Sequence, residues 1–338
     1  MNVIEENENR MVAKKSRNIL ITGGAGFIGS ALVAFLLSKN YRVTVADHLA
    51  GADSSGRLER FSSFKNFEFI GIDLLDSKKL TDIVKGCDIV FHLAANVDVR
   101  KGHLNTELDF LNNIVATRNL LESMRTSKTC KKIVFTSSSV VYGEPTVIPT
   151  PETYGPLKPI SIYGASKLAS ESLISGYVGT FGIEAVIFRL ANVVGPSSGH
   201  GVIFDFLDKL RRSEGKKLEI LGDGNQNKSY LYIDDCINAL ILGLNQFDSG
   251  LEIFNLGSDD QVDTNTIAKI IIDELGLSPK IKYLSESKDG RGWIGDVKNM
   301  LLSTDKLKTF GWRIRHTSQD SVLLTVKGIM DNEQIKRQ

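Results

Sequence analysis

Arg17-Asn18-Ile19-Leu20-Ile21-Thr22-Gly23-Gly24-Ala25-Gly26-Phe27-Ile28-Gly29 is the stretch whose reading decides the fold. Its apolar start has strand composition, glycines follow at once, and residues 30–37 are apolar and helix-compatible. The glycines therefore fall on a strand-to-helix turn, where they permit positive φ and let a ligand approach the backbone. Gly24, Gly26 and Gly29 fit a G-x-G-x-x-G spacing, and Gly23, Gly26 and Gly29 fit G-x-x-G-x-x-G equally well. The helix N-terminus beyond them would turn unpaired N–H groups toward a pyrophosphate. A glycine turn alone is a weak signal, because such turns also occur without a ligand. Here a second strand, residues 42–46, ends in Asp47, where an acidic residue can bind the adenosine ribose. That charge would repel a 2′-phosphate, which favours NAD over NADP.

Outward from this turn, strand-like and helix-like stretches alternate. Residues 67–72 read as a third strand ending in Asp73, and residues 88–93 as a fourth running into Ala94-Ala95. One long helix is expected over 104–125, then a fifth strand over 132–136 that delivers Ser137, Ser138 and Ser139. Five prolines (Pro145, Pro149, Pro151, Pro156 and Pro159) fall in the segment that follows, which is expected to be a stiffened loop. Another strand is expected over 185–190. This rhythm predicts an α/β fold, a doubly wound parallel Rossmann sheet with a smaller C-terminal α/β lobe. The expected division is a disordered extension over 1–16 and a dinucleotide-binding domain over 17–192, to which 227–257 returns. The substrate lobe then takes 193–226 and 258–330.

Composition narrows the function classes. Across 338 residues, Lys plus Arg (41) nearly equals Asp plus Glu (40). With no dense basic cluster, a nucleic-acid partner has no electrostatic support. Cys87, Cys130 and Cys236 have neither paired nor metal-type spacing, so no metal site is expected and a reducing cytoplasm is. No apolar run approaches the ~18 residues of a membrane span, and residues 1–16 lack an apolar signal core.

Tyr163-Gly164-Ala165-Ser166-Lys167 carries the chemistry. Tyrosine and lysine four apart on a helix share one face. An unperturbed phenol titrates near ~10 and is a poor base at neutral pH. A cation roughly 4 Å away is worth at most ~4 kcal/mol at an effective dielectric of ~20, enough to lower that value by a few units. The pair suits proton removal from a hydroxyl while hydride leaves the same carbon. Tyr-x-x-x-Lys also occurs by chance on amphipathic helices, so its weight comes from its surroundings.

Those surroundings include Phe91-His92-Leu93-Ala94-Ala95, the NIVATRNLL run from Asn113, FTSSSVVYG over 135–143, RLANVVGP over 189–196, and Gly222-Asp223-Gly224 with Tyr230 to Asp235 following. Taken in this order with the glycine turn, the chain resembles an extended short-chain dehydrogenase/reductase, a nucleotide-sugar epimerase of the UDP-glucose 4-epimerase type. The resemblance implies NAD as cofactor, a UDP-hexose substrate, C4 epimerisation through a 4-keto intermediate, and a homodimer joined through 104–125 and 161–181. It implies Tyr163 as base, Lys167 as the cation that lowers its pKa and holds the nicotinamide ribose, and Ser138 as the hydroxyl on O4. It further implies cofactor contacts from Gly23, Gly26, Phe27, Ile28, Gly29, Asp47, Asp73, Leu74, Leu93, Ala94, Ala95, Asn113 and Ser137, with Tyr163 and Lys167 touching the cofactor as well. Asn192, Lys228, Arg291, Asp296 and Met300 would face the substrate. His92 is expected to support packing only.

The departures from the family pattern are informative. Related 4,6-dehydratases carry Asp-Glu directly after the active Ser or Thr, and related decarboxylases a Glu in the same stretch; here Ser139 and Val140 stand there. Lys228 replaces a diphosphate arginine, keeping the charge but losing the bidentate fork. Arg291 lies five residues before Asp296 rather than three. Met300 stands where bulk beside C2 of the sugar is set. A dehydratase or decarboxylase on the same scaffold is the alternative, and a non-catalytic dinucleotide-binding regulator a more distant one.

Overall fold

Alternation along the first strand sets the layers. β1 (Asn18–Thr22) sends Ile19 and Ile21 to one face of a sheet and Leu20 to the other, as successive strand residues must. The computed structural model describes residues 17–49, 54–96, 99–246, 250–284, 290–293 and 295–337; the expectation for 1–16 lies outside these.

After β1 come α1 (Phe27–Ser38), β2 (Arg42–Asp47), α2 (Ser54–Glu59), β3 (Phe67–Gly71), α3 (Ser77–Lys85) and β4 (Ile89–His92). Next are α4 (Val99–Leu104), α5 (Thr106–Asp109), a π-helical turn (Phe110–Val115) and α6 (Ala116–Thr126). β5 (Lys132–Ser138), α7 (Ile162–Phe181) and β6 (Glu184–Leu190) follow. Beyond them run β7 (Asn192–Val194), α8 (Val202–Arg212), β8 (Lys217–Leu221), β9 (Asn227–Lys228), β10 (Tyr230–Tyr232), α9 (Ile233–Gln246) and β11 (Leu251–Leu256). The chain ends with β12 (Val262–Asp263), α10 (Thr264–Leu275), β13 (Lys280–Leu284), β14 (Asn299–Met300), α11 (Asp305–Thr309) and α12 (Ser318–Arg337).

Seven strands form one sheet in the order β11-β6-β5-β4-β1-β2-β3, with every pair parallel. Both faces are buried, which is why its strands read as near-continuous apolar runs. On one face Ile19, Ile21, Val45, Phe91 and Phe188 meet Leu32, Val33 and Leu36 of α1 and Ile237 and Leu240 of α9. On the other, Leu20, Val90, Ile133 and Ile187 meet Leu80 and Val84 of α3, Leu120 and Met124 of α6 and Ile174 of α7. Each such side chain contributes about 1.5–3 kcal/mol on burial. The strand order reverses between β1 and β4, so a crevice opens there above the carboxyl ends of the strands. A separate core joins α8, β8, α10 and α12 through Phe206, Ile220, Ile267 and Val326.

The single helix expected over 104–125 is broken. Asn105 is extended (φ −140°, ψ 95°) and its side chain accepts from Glu107 N–H, so a new helix starts there. The wide π turn then interrupts the α pitch before α6. Such turns concentrate at functional sites.

Candidate active site

The glycine turn stands at the crevice. Gly23 has φ +71° and its N–H donates to the Ala46 carbonyl at 3.1 Å. Gly26 caps α1 with extended backbone and no side chain, so no protein group bonds the first turn in the manner of a Ser or Asp cap. Phe27 and Ile28 begin that turn, whose N–H groups are left for an anion. A Cβ on Gly29 would press into the Gly23 carbonyl oxygen and lie 2.7 Å from Gly24 Cα. Asp47 ends β2 beside the turn, its carboxylate accepting from Ala25 N–H at 3.0 Å and Leu49 N–H at 2.8 Å. Leu93 N–H donates to Thr22 O at 3.1 Å, and a Cβ on Gly23 would lie 2.6 Å from Ala94 N, so the chain from Leu93 to Ala95 runs close past the turn. Asp73 is exposed beyond β3, its Oδ1 accepting from Leu75 N–H at 2.9 Å. Leu74 beside it is buried, and Asn119 Nδ2 donates to its carbonyl at 3.1 Å. An uncapped helix N-terminus, a Cβ-free cradle and a flanking carboxylate fit a dinucleotide. Gly29→Ala is expected to lower NAD affinity by at least about tenfold, with a stability loss of about 1–3 kcal/mol. Calorimetric titration of cofactor-stripped protein, with denaturant unfolding alongside, measures both.

At the end of β5, Ser138 is hydrogen-bonded to the Tyr163 phenol. Ser161 caps α7 by accepting from Gly164 N–H at 3.0 Å, which starts the helix so that Tyr163 lies in its first turn and Lys167 one turn on. Lys167 is 3% exposed, its ammonium 4.5 Å from the centroid of the Phe135 ring. Burial pulls its pKa down to about 7, opposed by the carboxylates of Glu171 and Asp109.

The phenol departs from the expected direction. Burial and the Asp109 carboxylate push Tyr163 above the ordinary tyrosine value, offset in part by the Ser138 hydrogen bond. The ammonium sits over the Phe135 ring and under the influence of the two carboxylates, so the phenol stays protonated at neutral pH. His92 is fully buried between the Thr22 hydroxyl at 2.7 Å and the Thr117 hydroxyl at 2.9 Å, and burial lowers its pKa to about 3. It stays neutral and braces β1 against α6, the packing role expected of it.

Ser137 and Asn113 turn inward rather than outward. The Ser137 hydroxyl donates to Glu171. Glu171 in turn pairs with Arg189 of β6 through Nε at 3.1 Å and Nη2 at 2.7 Å, and Arg189 Nη1 reaches the Tyr142 hydroxyl at 2.9 Å. Asn113 Oδ1 accepts from Asn96 N–H at 2.8 Å, while its Nδ2 donates to Ser166 Oγ at 2.8 Å and Asp109 Oδ1 at 3.2 Å. Asp109, Glu171 and Arg189 were not among the expected site residues. A lysine-to-glutamate spacing of four on α7 signals Glu171; no comparable pattern signals Asp109.

On the opposite wall, Asn192 of β7 donates from Nδ2 to Ser229 O at 3.1 Å. Lys228 pairs with the buried Asp296 and lies 5.3 Å from the Trp293 ring centroid. Arg291 pairs with Glu144 and donates to Asp296 O at 2.7 Å. A Cβ on Gly295 would lie 3.1 Å from Ile160 O, so this loop abuts the segment leading into α7. Met300 is buried with Val141, Tyr142 and Ala191, beside the turn that follows Ser138. Lys228, Arg291 and Asp296 thus form one charged cluster, whereas Met300 belongs to an apolar one.

Comparison with known proteins adds four findings to this geometry. Residues 19–257 match the NAD dependent epimerase/dehydratase family. A crystal structure of a UDP-galactose 4-epimerase is 39% identical, with a TM-score of 0.82 over 93% of this chain and 99% of that one. The UDP-glucuronic acid 4-epimerase of Bacillus cereus, solved with UDP-glucuronic acid and NAD, is 29% identical, with a TM-score of 0.84 over 93% of this chain and 99% of that one. A UDP-N-acetyl-alpha-D-glucosaminuronate decarboxylase of Bacillus cytotoxicus is 31% identical over 86% of this chain and 91% of its own length.

Proposed function

The chain belongs to the NAD dependent epimerase/dehydratase family, with NAD as cofactor, and we propose that it inverts a UDP-hexose at C4. The proposed substrates are UDP-glucose and UDP-galactose, with tolerance for N-acetyl forms because Met300 is flexible and of intermediate size. The observation that carries this reading within the family is the pair after Ser138. Water loss or decarboxylation would need a further acid or base beside the sugar, and neither Ser139 nor Val140 supplies one.

The redox chemistry at C4 is what NAD supplies when bound. The proton work at O4 is assigned to this chain. The Tyr163 phenol, held protonated in the free protein, acts as base once bound positive charge has ionised it; the phenolate then takes the proton leaving the sugar hydroxyl and later returns it. Ser138 holds O4 in line with the phenolic oxygen and donates to charge developing there. Lys167 supplies a nearby cation, and its burial keeps water from quenching that interaction. On the far side, Lys228 and Arg291 are assigned to the diphosphate, and Asn192 to the sugar side of it.

The proposed lobes are 17–192 with 227–257, and 193–226 with 258–330; β11 pairing with β6 supports the return crossing. A homodimer is proposed through 104–125 and 161–181, where Phe110 and Ile162 are exposed. A cytoplasmic site is proposed from three buried free cysteines. Among the described residues, no helix is long and apolar enough to cross a membrane.

Incubation with UDP-glucose, UDP-N-acetylglucosamine and UDP-glucuronate, each deuterated at C4, tests the reading. NMR of the products is expected to find inversion at C4 with the label kept on that carbon. Elimination of water or release of CO₂ would instead establish the dehydratase or decarboxylase reading.

A further inference from the structure

We infer that Arg57 is a positioning residue for the cofactor groove, its guanidinium fastening the bend at 195–198 to the glycine turn and so slowing the release of NAD. The inference rests on the cofactor site described above and deepens it.

The loop after β7 bends tightly before α8 begins. Ser198 N–H donates to Gly195 O at 3.1 Å, with Pro196 and Ser197 between them. Proline at the first of two such central positions presets the bend. Its place is fixed from two sides. A Cβ on Gly195 would lie 3.0 Å from the Phe27 ring, and a Cβ on Gly328 of α12 would press into Pro196. The bend therefore borders the first turn of α1, whose uncapped N–H groups are left for an anion.

Arg57 spans the space between this bend and the glycine turn. Its Nη2 donates to Ser197 O at 2.9 Å and its Nη1 to Ala25 O at 3.4 Å. Ala25 is thus held on both sides, because its own N–H donates to Asp47 Oδ2 at 3.0 Å. Gly26, the cap of α1, follows it directly. The helix carrying Arg57 is itself set against α1: Leu58 is buried in the core, and Arg60 just beyond α2 reaches Ser30 O at 3.4 Å. One side chain of α2 accordingly ties together the glycine turn and the loop that leads into the substrate lobe.

Arginine suits this span. A guanidinium offers five donors in one plane and can serve two carbonyls at once, whereas an ammonium is a point charge on a flexible stem. Its charge also has the sign that an anionic dinucleotide favours. A pyrophosphate at the start of α1 would lie beside the bridge and strengthen it, so the bridge resists release more than entry. The proposed inversion uses one cofactor molecule twice in a turnover, and slow release keeps both halves on the same site.

The test uses the purified full-length chain loaded with radiolabelled NAD and diluted into excess unlabelled NAD, with retained label followed in time. Arg57→Met is expected to release NAD at least about tenfold faster than wild type. Arg57→Lys should release it at least about threefold faster, because the charge is kept but the span between two carbonyls is lost. Association of NAD with cofactor-free protein, followed by stopped-flow fluorescence, should stay within about threefold of wild type in both variants. Release at the wild-type rate in Arg57→Met overturns the inference. Release at that rate in Arg57→Lys overturns it too, since charge alone would then account for the methionine result. Association slowed beyond that range overturns it as well, as the mark of a distorted groove. The readout needs no sugar, so absence of C4 inversion in wild type would count against the proposed reaction alone.

Discussion

Replacing Tyr163 by phenylalanine is expected to lower kcat by about 10²–10⁴-fold, the range that a positioned acid–base group supplies. The ring keeps its packing, and only the hydroxyl that meets Ser138 is lost. Stability should change by no more than about 1 kcal/mol, because the lost hydrogen bond joins two side chains at the cleft rather than holding an element in place. NAD should remain bound with wild-type affinity, since the glycine turn and Asp47 lie on different elements from α7. Turnover of UDP-galactose, together with the bound-cofactor absorbance of the same sample, measures both halves. Activity within tenfold of wild type would remove the phenol from the proton path. The direction of its pKa sharpens the expectation. In the free protein the phenol is held protonated, so it serves as a base toward O4 only once bound positive charge has ionised it.

The second large effect is structural. Arg189→Met should cost about 3–5 kcal/mol of unfolding free energy, the usual consequence of leaving one partner of a buried ion pair unmatched. Arg189 and Glu171 side chains are each 5% exposed. Methionine would fill much of the guanidinium's volume, so the loss would report charge and hydrogen bonding rather than a cavity. The guanidinium joins β6 to α7 through Glu171 and to the turn after Ser138 through Tyr142, whose hydroxyl donates onward to Asn255 Oδ1 at 2.7 Å. The double variant Arg189→Met with Glu171→Gln should recover part of the loss, since it removes the orphaned charge as well. Denaturant midpoints of the single and double variants decide this, and equal stabilities of Arg189→Met and wild type would show that the seam is not stabilising.

Much of this was legible in the chain because the relevant signals are local. The glycines announce a turn between a strand and a helix, and the central strands β1, β4 and β5 are largely apolar because both faces are covered. Tyr163 and Lys167 share a face because helical geometry demands it. What could not be read depends on contacts distant in sequence. Ser137 and Asn113 look like cofactor ligands by motif, yet their side chains bond Glu171, Asn96 and Ser166. Nothing in a spacing tells which way an amide turns. Lys167 was expected to acidify the phenol, but a carboxylate 58 positions earlier in the chain than that lysine faces them both. The helix over 104–125 was misjudged for a different reason. Helix propensity and apolar spacing survive an extra residue in one turn, so the π segment leaves almost no trace in the pattern. Asn105 two residues before Glu107 did carry a cap signal for the break.

That widened turn has a consequence for how the protein can change over time. Residues before it present Asp109 to the active centre, while residues after it aim Asn119 at the Leu74 carbonyl and Leu120 at the sheet. Loss of one residue between them would restore ordinary pitch and draw the Asn113 carbonyl, which now accepts from Ser170 of α7, back into the helix ladder. That tie between the widened turn and α7 would then be lost. Sequence drift in this stretch is therefore confined to exchanges at constant length, and its residue count should vary less across lineages than its composition.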